Sequence, residues 1–258
     1  MGVKQLFDLI GRVAVITGGS RGLGLQMAEA LGEMGARVAI TARKKDELDD
    51  AVAHLKNLGI AATAFPSDLG KREQVEPLAA AILDKFGKVD ILVNNAGASW
   101  GAPAEDHSME AWDKLVNLNL SGAFQLSQII ARQSMIPAKW GRIINIASVS
   151  GMIATDTRIV KNVAYVATKH GMVGLTRQLA AEWGEHGITV NAICPGFFPS
   201  KMTKATLDTA GEFVRQGTPT GRLGGDEDLK GLTVLLASEA SRHITGQAIA
   251  VDGGATII

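Results

Sequence analysis

The chain has few of the features that mark secreted, membrane-spanning or nucleic-acid-binding proteins. Its 258 residues include one cysteine, Cys194, so no internal disulfide can form and we expect a reducing, cytoplasmic setting. Lysine plus arginine equals aspartate plus glutamate, 26 of each, which leaves no field to attract nucleic acid or an anionic membrane surface. No apolar run approaches the ~20 residues of a membrane helix, and the first residues lack a signal-peptide core. We therefore expect a soluble protein with no nucleic-acid or membrane partner.

Short apolar runs alternate with longer segments of helical periodicity along the whole sequence. Several runs are continuously apolar, which is typical of parallel strands covered on both faces. The alternation predicts a doubly wound α/β fold in a single domain spanning residues 1–258. The predicted strands are 12–17, 36–41, 61–66, 89–93, 142–147, 188–193 and 247–251. The predicted helices are 22–34, 45–57, 71–86, 108–135, 162–184 and 226–238. Segments 151–161 and 197–220 lack periodicity and are predicted to be loops, the second of them a substrate loop.

A glycine-rich turn, TGGSRGLG at 17–24, joins the first predicted strand to the first helix. Gly18, Gly22 and Gly24 permit backbone angles that other residues avoid and let a pyrophosphate approach the main chain. The helix that follows offers unpaired N–H groups and its positive dipole end to the same anion. A tight structural turn is the alternative, but the strand before and the helix after favour a dinucleotide site.

The end of the second strand is expected to select the cofactor. An acidic residue there would bind the adenosine ribose and repel a 2′-phosphate. The sequence instead has Ala42 followed by Arg43, Lys44 and Lys45, and Arg21 in the glycine turn adds a further positive charge. Because a guanidinium suits a phosphate, the pattern predicts NADP(H) rather than NAD(H). The two lysines alone would fit a solvated helix start.

Two further motifs follow the third and fourth predicted strands. Asp68, in SDL, is placed to accept a hydrogen bond from the adenine amino group, or else to cap the helix from Lys71. NNAG at 94–97 has small residues that allow a ribose to pass and asparagines that can brace neighbouring strand ends. Its place at a carboxyl end of the sheet makes a plain turn the less favoured alternative.

Tyr165 and Lys169 are four residues apart in a helix-periodic run and are therefore expected on one helix face. A cation beside a phenol stabilises the phenolate and is predicted to lower the phenol's pKa toward the working range. The pair thus reads as a proton donor and acceptor, although YxxxK alone also fits an ordinary solvated pair.

TGGSRGLG, SDL, NNAG, INIASVSG, YVATK and PGFFPS occur in this order and together resemble the short-chain dehydrogenase/reductase family. The resemblance implies a seven-stranded Rossmann-type sheet and a catalytic tetrad of Asn119, Ser148, Tyr165 and Lys169. Ser148 would hold the substrate oxygen, Tyr165 would exchange its proton, Lys169 would tune the phenol, and Asn119 would hold a water. The implied cofactor contacts are Gly18, Ser20, Arg21, Gly22, Leu23, Gly24, Arg43, Asp68, Leu69, Asn95, Ala96, Gly97, Tyr165, Lys169, Pro195, Gly196, Phe198 and Ser200.

The sequence departs from the family pattern at two places near the expected substrate entrance. The gap from Ser148 to Tyr165 is long, and Arg158 or Lys161 in the extra segment is hypothesised to meet an anionic part of the substrate; ordinary solvation is the alternative. In PGFFPS, Pro199 and Ser200 replace an acidic residue and threonine, which leaves Ser200 as the hydroxyl for the nicotinamide amide.

The remaining residues with reactive or aromatic side chains are assigned structural roles, or their role is left open. Cys194 is predicted to be a small core residue, and the five histidines show no metal-ligand spacing, so no metal is assigned. Trp100 is equally consistent with packing and with lining the substrate pocket, which Phe197 and Phe198 could also line.

The combined reading is an NADP(H)-dependent oxidoreductase that transfers a hydride between nicotinamide and a ketone or secondary alcohol. Its motifs look most like those of 3-oxoacyl-thioester reductases, with gluconate-type sugar-acid dehydrogenases as the alternative. A cofactor-bound regulatory or scaffold protein on the same fold is a third possibility. The family is usually dimeric or tetrameric, and a homotetramer is expected.

Overall fold

The computed structural model describes residues 1–258 and is built around one sheet of seven parallel strands. The strands are β1 (Val13–Thr17), β2 (Arg37–Ala42), β3 (Ala62–Pro66), β4 (Ile91–Asn94), β5 (Gly141–Ile146), β6 (Ile188–Pro195) and β7 (Ala248–Val251). Their order across the sheet is β3-β2-β1-β4-β5-β6-β7. All seven predicted strands are confirmed, and the order shows that the chain winds outward in both directions from β1 and β4.

Ten α-helices connect or flank these strands. They are α1 (Val3–Leu6), α2 (Gly22–Glu33), α3 (Lys45–Asn57), α4 (Arg72–Phe86), α5 (Met109–Val116), α6 (Gly122–Ile130), α7 (Ile136–Ala138), α8 (Val163–Trp183), α9 (Lys204–Gln216) and α10 (Lys230–Ala237). Four short 3₁₀ turns lie at Ala104–Asp106, Val149–Gly151, Gly184–His186 and Glu239–Ser241. None of the helices combines the length and the apolar character needed to cross a membrane.

Burial on both faces of the sheet explains the continuously apolar strands. Every residue of β1, β4, β5 and β6 is buried. Successive side chains of a strand point to opposite faces. Ala14 and Ile16 accordingly belong to the core formed with α2 and α3, whereas Val15 belongs to the core formed with α4 and α6. The sheet is thus clamped between two hydrophobic layers, and its strand ends are held rigidly at one edge.

The structure corrects the predicted elements in four places. Residues 197–220 are not a loop throughout, because α9 occupies Lys204–Gln216. The predicted helix 108–135 consists of α5, α6 and α7 joined by π-helical turns at Asn117–Ser121 and Ala131–Met135. The last helix begins at Lys230 rather than at 226. The short α1 was not predicted.

Candidate active site

The glycine-rich turn lies where the strand order reverses, between β1 and β4, the usual ligand position in open α/β sheets. Gly18 and Gly22 have φ of +64° and +53°, angles that favour glycine. A Cβ on Gly24 would lie 2.2 Å from the Gly18 carbonyl oxygen, so only glycine lets α2 start so close to β1. The predicted roles of these glycines in shaping the turn are therefore visible in the backbone.

The first turn of α2 has backbone N–H groups that lack hydrogen-bond acceptors. α2 begins at Gly22, its N-cap residue Arg21 makes no side-chain cap, and the N–H groups of Gly22, Leu23 and Gly24 have no acceptor within the chain. No acidic side chain lies in this turn. Free N–H groups at a helix N-terminus suit a phosphate, so the residues present fit the pyrophosphate of a dinucleotide.

The asparagines of NNAG brace neighbouring strand ends, as predicted. Asn95 donates through Nδ2 to the carbonyl oxygens of Thr17 (2.9 Å) and Gly18 (3.1 Å), which ties β4 to the glycine turn. Asn94 donates to Asn145 Oδ1 at 2.9 Å, which ties β4 to β5. The edge at which the two strands end is thus cross-linked by side-chain amides.

Of the four cations expected at the end of β2, only Arg43 has no carboxylate partner. Arg43 is exposed, directly after Ala42. Arg21 is instead paired with Glu47 at 2.6 Å, and Lys44 approaches the same carboxylate at 3.2 Å. Glu47 on α3 is thus shared by two cations, and contact of Arg21 with a cofactor stays a prediction.

Asp68 and Leu69 follow β3 in a tight turn. Asp68 Oδ1 accepts from the Gly70 N–H at 3.0 Å. The alternative role as a helix cap is wrong, since α4 begins at Arg72 with Lys71 as its uncapped N-cap residue. The side chain of Leu69 is buried in the core, so only its main chain is left to face a ligand.

Lys169 is buried inside the expected catalytic group. Its side chain is on α8, only 5% of the residue is exposed, and Nζ donates to the carbonyl oxygen of Ile146 at 2.7 Å. Burial lowers the pKa of Lys169 to about 8. Nζ lies 5.5 Å from the centre of the Tyr165 ring, so the two side chains predicted to share one face do so.

The predicted effect of the lysine on the phenol is not seen in the chain alone. Burial raises the pKa of Tyr165, and the neighbouring Ser148 side chain lowers it by less than burial raises it. The predicted lowering is therefore wrong for the protein without cofactor. The reason is that desolvation disfavours both the phenolate and the ammonium, and the hydrogen bond that Lys169 Nζ donates goes to the Ile146 carbonyl oxygen.

Ser148 is held at the end of β5 at the start of a 3₁₀ turn. Its Oγ accepts from the Ser150 N–H at 3.1 Å. The rival Ser150 instead uses its own Oγ to accept from Thr155 at 3.2 Å. A Cβ on Gly151 would lie 2.6 Å from the Lys169 carbonyl oxygen, so this turn packs directly on α8. The packing brings Ser148 next to Tyr165 and favours Ser148 over its rival.

Asn119 lies fully buried in the first π-helical turn. Its Oδ1 accepts from the Ala98 N–H at 2.9 Å, and its Nδ2 donates to the Ala98 carbonyl oxygen, also at 2.9 Å. A Cβ on Gly97 would lie 3.3 Å from Asn119 Oδ1 and 3.7 Å from Lys169 Nζ. Gly97 thus lies directly against both Asn119 and Lys169.

Thr168 is a positioning residue that the sequence analysis missed. Its Oγ1 donates to the Tyr165 carbonyl oxygen at 2.8 Å and accepts from Asn119 Nδ2 at 3.1 Å, and only 2% of the residue is exposed. A hydroxyl has one proton, and here that proton is committed within α8. Thr168 can therefore only accept from Asn119, which fixes the orientation of the amide. Its place beside Lys169 in the YVATK motif was the only available signal.

Replacing Thr168 with alanine is expected to lower kcat about tenfold with little change in KM, because the loss of one buried hydrogen bond leaves the Asn119 amide under-paired at a cost of ~1–3 kcal/mol. Thr168→Ser, which keeps the hydroxyl, should restore most of kcat. Steady-state kinetics of both variants provide the measurement. Equal losses in the two variants would show that methyl packing, not the hydrogen bond, is what matters.

The segment after β6 departs from its predicted contacts. The side chain of Phe198 is 4% exposed, packs against Gly224 and lines a cavity together with Phe197. That either phenylalanine lines the substrate pocket stays a prediction. Ser200 Oγ lies 3.0 Å from Thr203 Oγ1, so its hydroxyl already has a partner inside the chain. Pro195 ends β6, and Gly196 fits tightly against Asp252.

The charges of the extra segment are arranged differently from the hypothesis. Arg158 is held by Asp156, with Nη2 2.6 Å from Oδ2, and its guanidinium lies 5.1 Å from the ring centre of Phe213 on α9. Lys161 is exposed and has no carboxylate partner. Contact of either residue with a substrate stays a prediction, but Arg158 does not present an unpaired charge.

Trp100 and Cys194 differ in their surroundings. Trp100 is 56% exposed on the segment that follows NNAG, so packing does not account for it.

Cys194 is fully buried in a small cluster with Ala147 and Met172, as predicted for a core residue. Burial raises the pKa of its thiol to about 11, which keeps it protonated and unreactive.

The doubly wound sheet, the donor-lined glycine turn and the serine, tyrosine and lysine gathered beside it define the class of nucleotide-binding α/β oxidoreductases. A family model described as short chain dehydrogenase matches residues 12–211. The chain belongs to the short-chain dehydrogenase/reductase family, whose members act on CH–OH and carbonyl groups.

Several well-matched relatives cover almost the whole chain. A gluconate 5-dehydrogenase of Gluconobacter oxydans is 37% identical over 260 residues, covering 100% of this chain and 99% of the relative. A rhamnolipid-biosynthesis 3-oxoacyl-[acyl-carrier-protein] reductase of Pseudomonas aeruginosa is 40% identical over 254 residues, covering 96% of this chain and 97% of the relative. A solved gluconate 5-dehydrogenase of Burkholderia cenocepacia, in complex with NADP and tartrate, is 35% identical with a TM-score of 0.93 and covers 100% of both chains.

Proposed function

We propose that this protein transfers a hydride between NADP(H) and a ketone or secondary alcohol, with binding and catalysis in one domain. The observation that carries the proposal is the position of Gly97, which lies against the side chains of Asn119 and Lys169. The N–H groups of the two preceding residues, Asn95 and Ala96, donate to Thr17 Oγ1 at the start of the glycine turn. A dinucleotide on that turn would therefore reach the catalytic group. The nicotinamide, when bound, supplies or accepts the hydride.

The side chains of this chain have separate tasks in the proposed reaction. Ser148 donates a hydrogen bond to the substrate oxygen, where negative charge grows during reduction. Tyr165 donates its proton to that oxygen; in the protein without cofactor, burial raises the pKa of the phenol, which keeps it protonated but makes it a weaker acid. Lys169, held by Ile146, binds the nicotinamide ribose, and Asn119 fixes the strand end beside it.

The preference for NADP(H) rests on Arg43, the unpaired cation after a strand that ends in Ala42 rather than in an acid. The Burkholderia cenocepacia structure that contains NADP supports the same cofactor. The other nearby cations are already bound to Glu47 or Asp49, so Arg43 is left to meet a 2′-phosphate.

Replacing Arg43 with alanine is expected to raise KM for NADPH about 10- to 100-fold, since a hydrogen bond to a charged group contributes ~1.5–3 kcal/mol. KM for NADH should stay nearly constant. Lys45→Ala removes a cation that is already paired with Asp49 and serves as the matched control. Equal changes for the two cofactors in Arg43→Ala would contradict the assignment.

Two substrate classes are candidates. A 3-oxoacyl thioester or related carbonyl is supported by exposed apolar side chains near the site, namely Trp100, Met152 and Ile153. A sugar acid is supported by the gluconate 5-dehydrogenase relatives, one of which holds tartrate. NADPH and NADH consumption with an acetoacetyl thioester and with a keto-gluconate tests the proposal. Turnover of one of them with NADPH supports it, and no turnover of any ketone or secondary alcohol would contradict it.

The quaternary structure and location belong to the same proposal. The family resemblance and the long helical segments α5–α7 and α8 support a homotetramer, and the single cysteine, buried and unpaired, supports a cytoplasmic location.

A further inference from the structure

Asn162, three residues before Tyr165, is a buried polar side chain with no partner. It is 8% exposed, and its Oδ1 is buried without any hydrogen-bond donor. It is the N-cap residue of α8, a helix of 21 residues. Asparagine is among the best N-cap residues, because its oxygen can accept from the first turn. Here that side chain makes no cap.

The first turn of α8 is also unsatisfied. The N–H groups of Ala164 and Tyr165 have no acceptor in the chain, and no acidic residue lies in this turn. An unpaired buried acceptor and two free donors at one helix end each carry a desolvation cost in the protein alone. The two observations are independent, since one concerns a side chain and the other concerns the backbone.

The same position is joined to both sides of the candidate active site. Asn162 forms an isolated parallel bridge with Ala102, four residues after the Ala98 that Asn119 holds, and the Ala102 N–H donates to the Lys161 carbonyl oxygen at 2.9 Å. Tyr165 is the third residue of the helix that Asn162 precedes. A group bound at Asn162 would therefore lie at the start of the helix that carries Tyr165.

We propose that Asn162 and the uncapped start of α8 bind a hydroxyl group of the substrate, apart from the oxygen that reacts. The proposal rests on the proposed function and narrows its substrate class. A hydroxyl donates to the orphaned Oδ1 and accepts from a free N–H, so it satisfies both sets at once. A carboxylate satisfies only the N–H groups, and an apolar chain satisfies neither. The preferred substrates are hydroxylated ketones and their polyol products, which favours the sugar-acid class over a simple 3-oxoacyl thioester.

The test compares two ketones that differ only by one hydroxyl, 1-hydroxy-2-butanone and 2-butanone, with NADPH. The native protein is expected to prefer the hydroxylated ketone by at least 10-fold in kcat/KM. Asn162→Leu, similar in size but without hydrogen-bonding groups, should lose this preference and keep its kcat/KM for 2-butanone. Asn162→Ala should show the same loss if the leucine variant folds poorly. Thr157→Val, at an exposed position of the neighbouring segment, is the control and should keep the preference.

Thermal melting separates a binding role from a structural one. Removing an acceptor that has no partner should leave Tm unchanged or raise it, whereas loss of a helix cap would lower it. The inference is overturned if the native protein reduces both ketones equally, or if Asn162→Leu and Asn162→Ala keep the preference. Failure of the native protein to reduce any ketone would instead overturn the proposed function, and the inference with it.

Discussion

Replacing Tyr165 with phenylalanine is expected to lower kcat about 10²- to 10⁴-fold, the range that a positioned proton donor contributes. Phenylalanine keeps the ring that lies 5.5 Å from Lys169 Nζ and removes only the hydroxyl. Tyr165 is the only tyrosine in the chain, so no second phenol can replace it. The substitution therefore tests the proton-transfer step with little change in packing.

The measurement is steady-state kinetics together with direct titration of NADPH binding. Binding should change by no more than a few-fold, because the cofactor is held by the glycine turn and Arg43. Ser150→Ala is the matched control near the same site and should keep its activity, since the Ser150 hydroxyl is paired with Thr155. A Tyr165→Phe protein that retains most of its kcat would exclude the phenol as the proton donor.

Replacing Lys169 with methionine is expected to abolish turnover and yet stabilise the protein without cofactor at pH 7. Burial lowers the pKa of Lys169 from 10.5 to about 8, so holding the ammonium in the folded state at pH 7 costs about 3 kcal/mol. The methionine variant is relieved of this cost, but it also loses the hydrogen bond to Ile146, which reduces the gain in stability by about 1 kcal/mol. A net stabilisation of about 2 kcal/mol remains, by the same linkage.

The difference in stability between Lys169→Met and the native protein should depend on pH, and this dependence identifies its cause. Between pH 8 and 10.5 the unfolded native chain keeps the Lys169 proton that the folded chain has lost, so the stability of the native protein rises with pH. The advantage of Lys169→Met should therefore shrink as the pH rises through this interval. Urea unfolding at pH 7 and pH 9.5 measures it. If the variant were less stable than the native protein at pH 7, Lys169 would stabilise the folded protein, which would contradict this prediction.

Local sequence signals predicted most of the fold and the positions at the strand ends. The apolar runs of β1, β4 and β5 are buried on both faces, so their hydrophobicity reports directly on their place in the sheet. The role of Gly18 and Gly24 in the turn was predictable because a side chain at either position would clash with neighbouring atoms. Tyr165 and Lys169 were predictable because the helical period alone places them on one face.

Features that depend on tertiary contacts were missed. α9 was not predicted although Leu207, Ala210 and Val214 recur along it at helical spacing, and of its residues only Val214 is buried. The π-helical turn that carries Asn119 leaves no trace in residue periodicity. The pairing of Arg21 with Glu47 joins residues 26 positions apart, and the desolvation that raises the pKa of Tyr165 depends on packing from several elements. Pattern alone could not supply either result.

The titration of Tyr165 is the most direct test, because a chain with one tyrosine gives one tyrosine signal. Carbon-13 labelling of the tyrosine ring, followed by NMR as the pH is raised, reports the phenol alone with and without NADP⁺. Without cofactor the pKa should lie above the 10.0 of an ordinary tyrosine, since burial raises it, and bound NADP⁺ should lower it by bringing a positive ring beside the phenol. A phenol that titrates near 10.0 and does not respond to NADP⁺ would lie away from the nicotinamide, and the proposed proton transfer would be wrong.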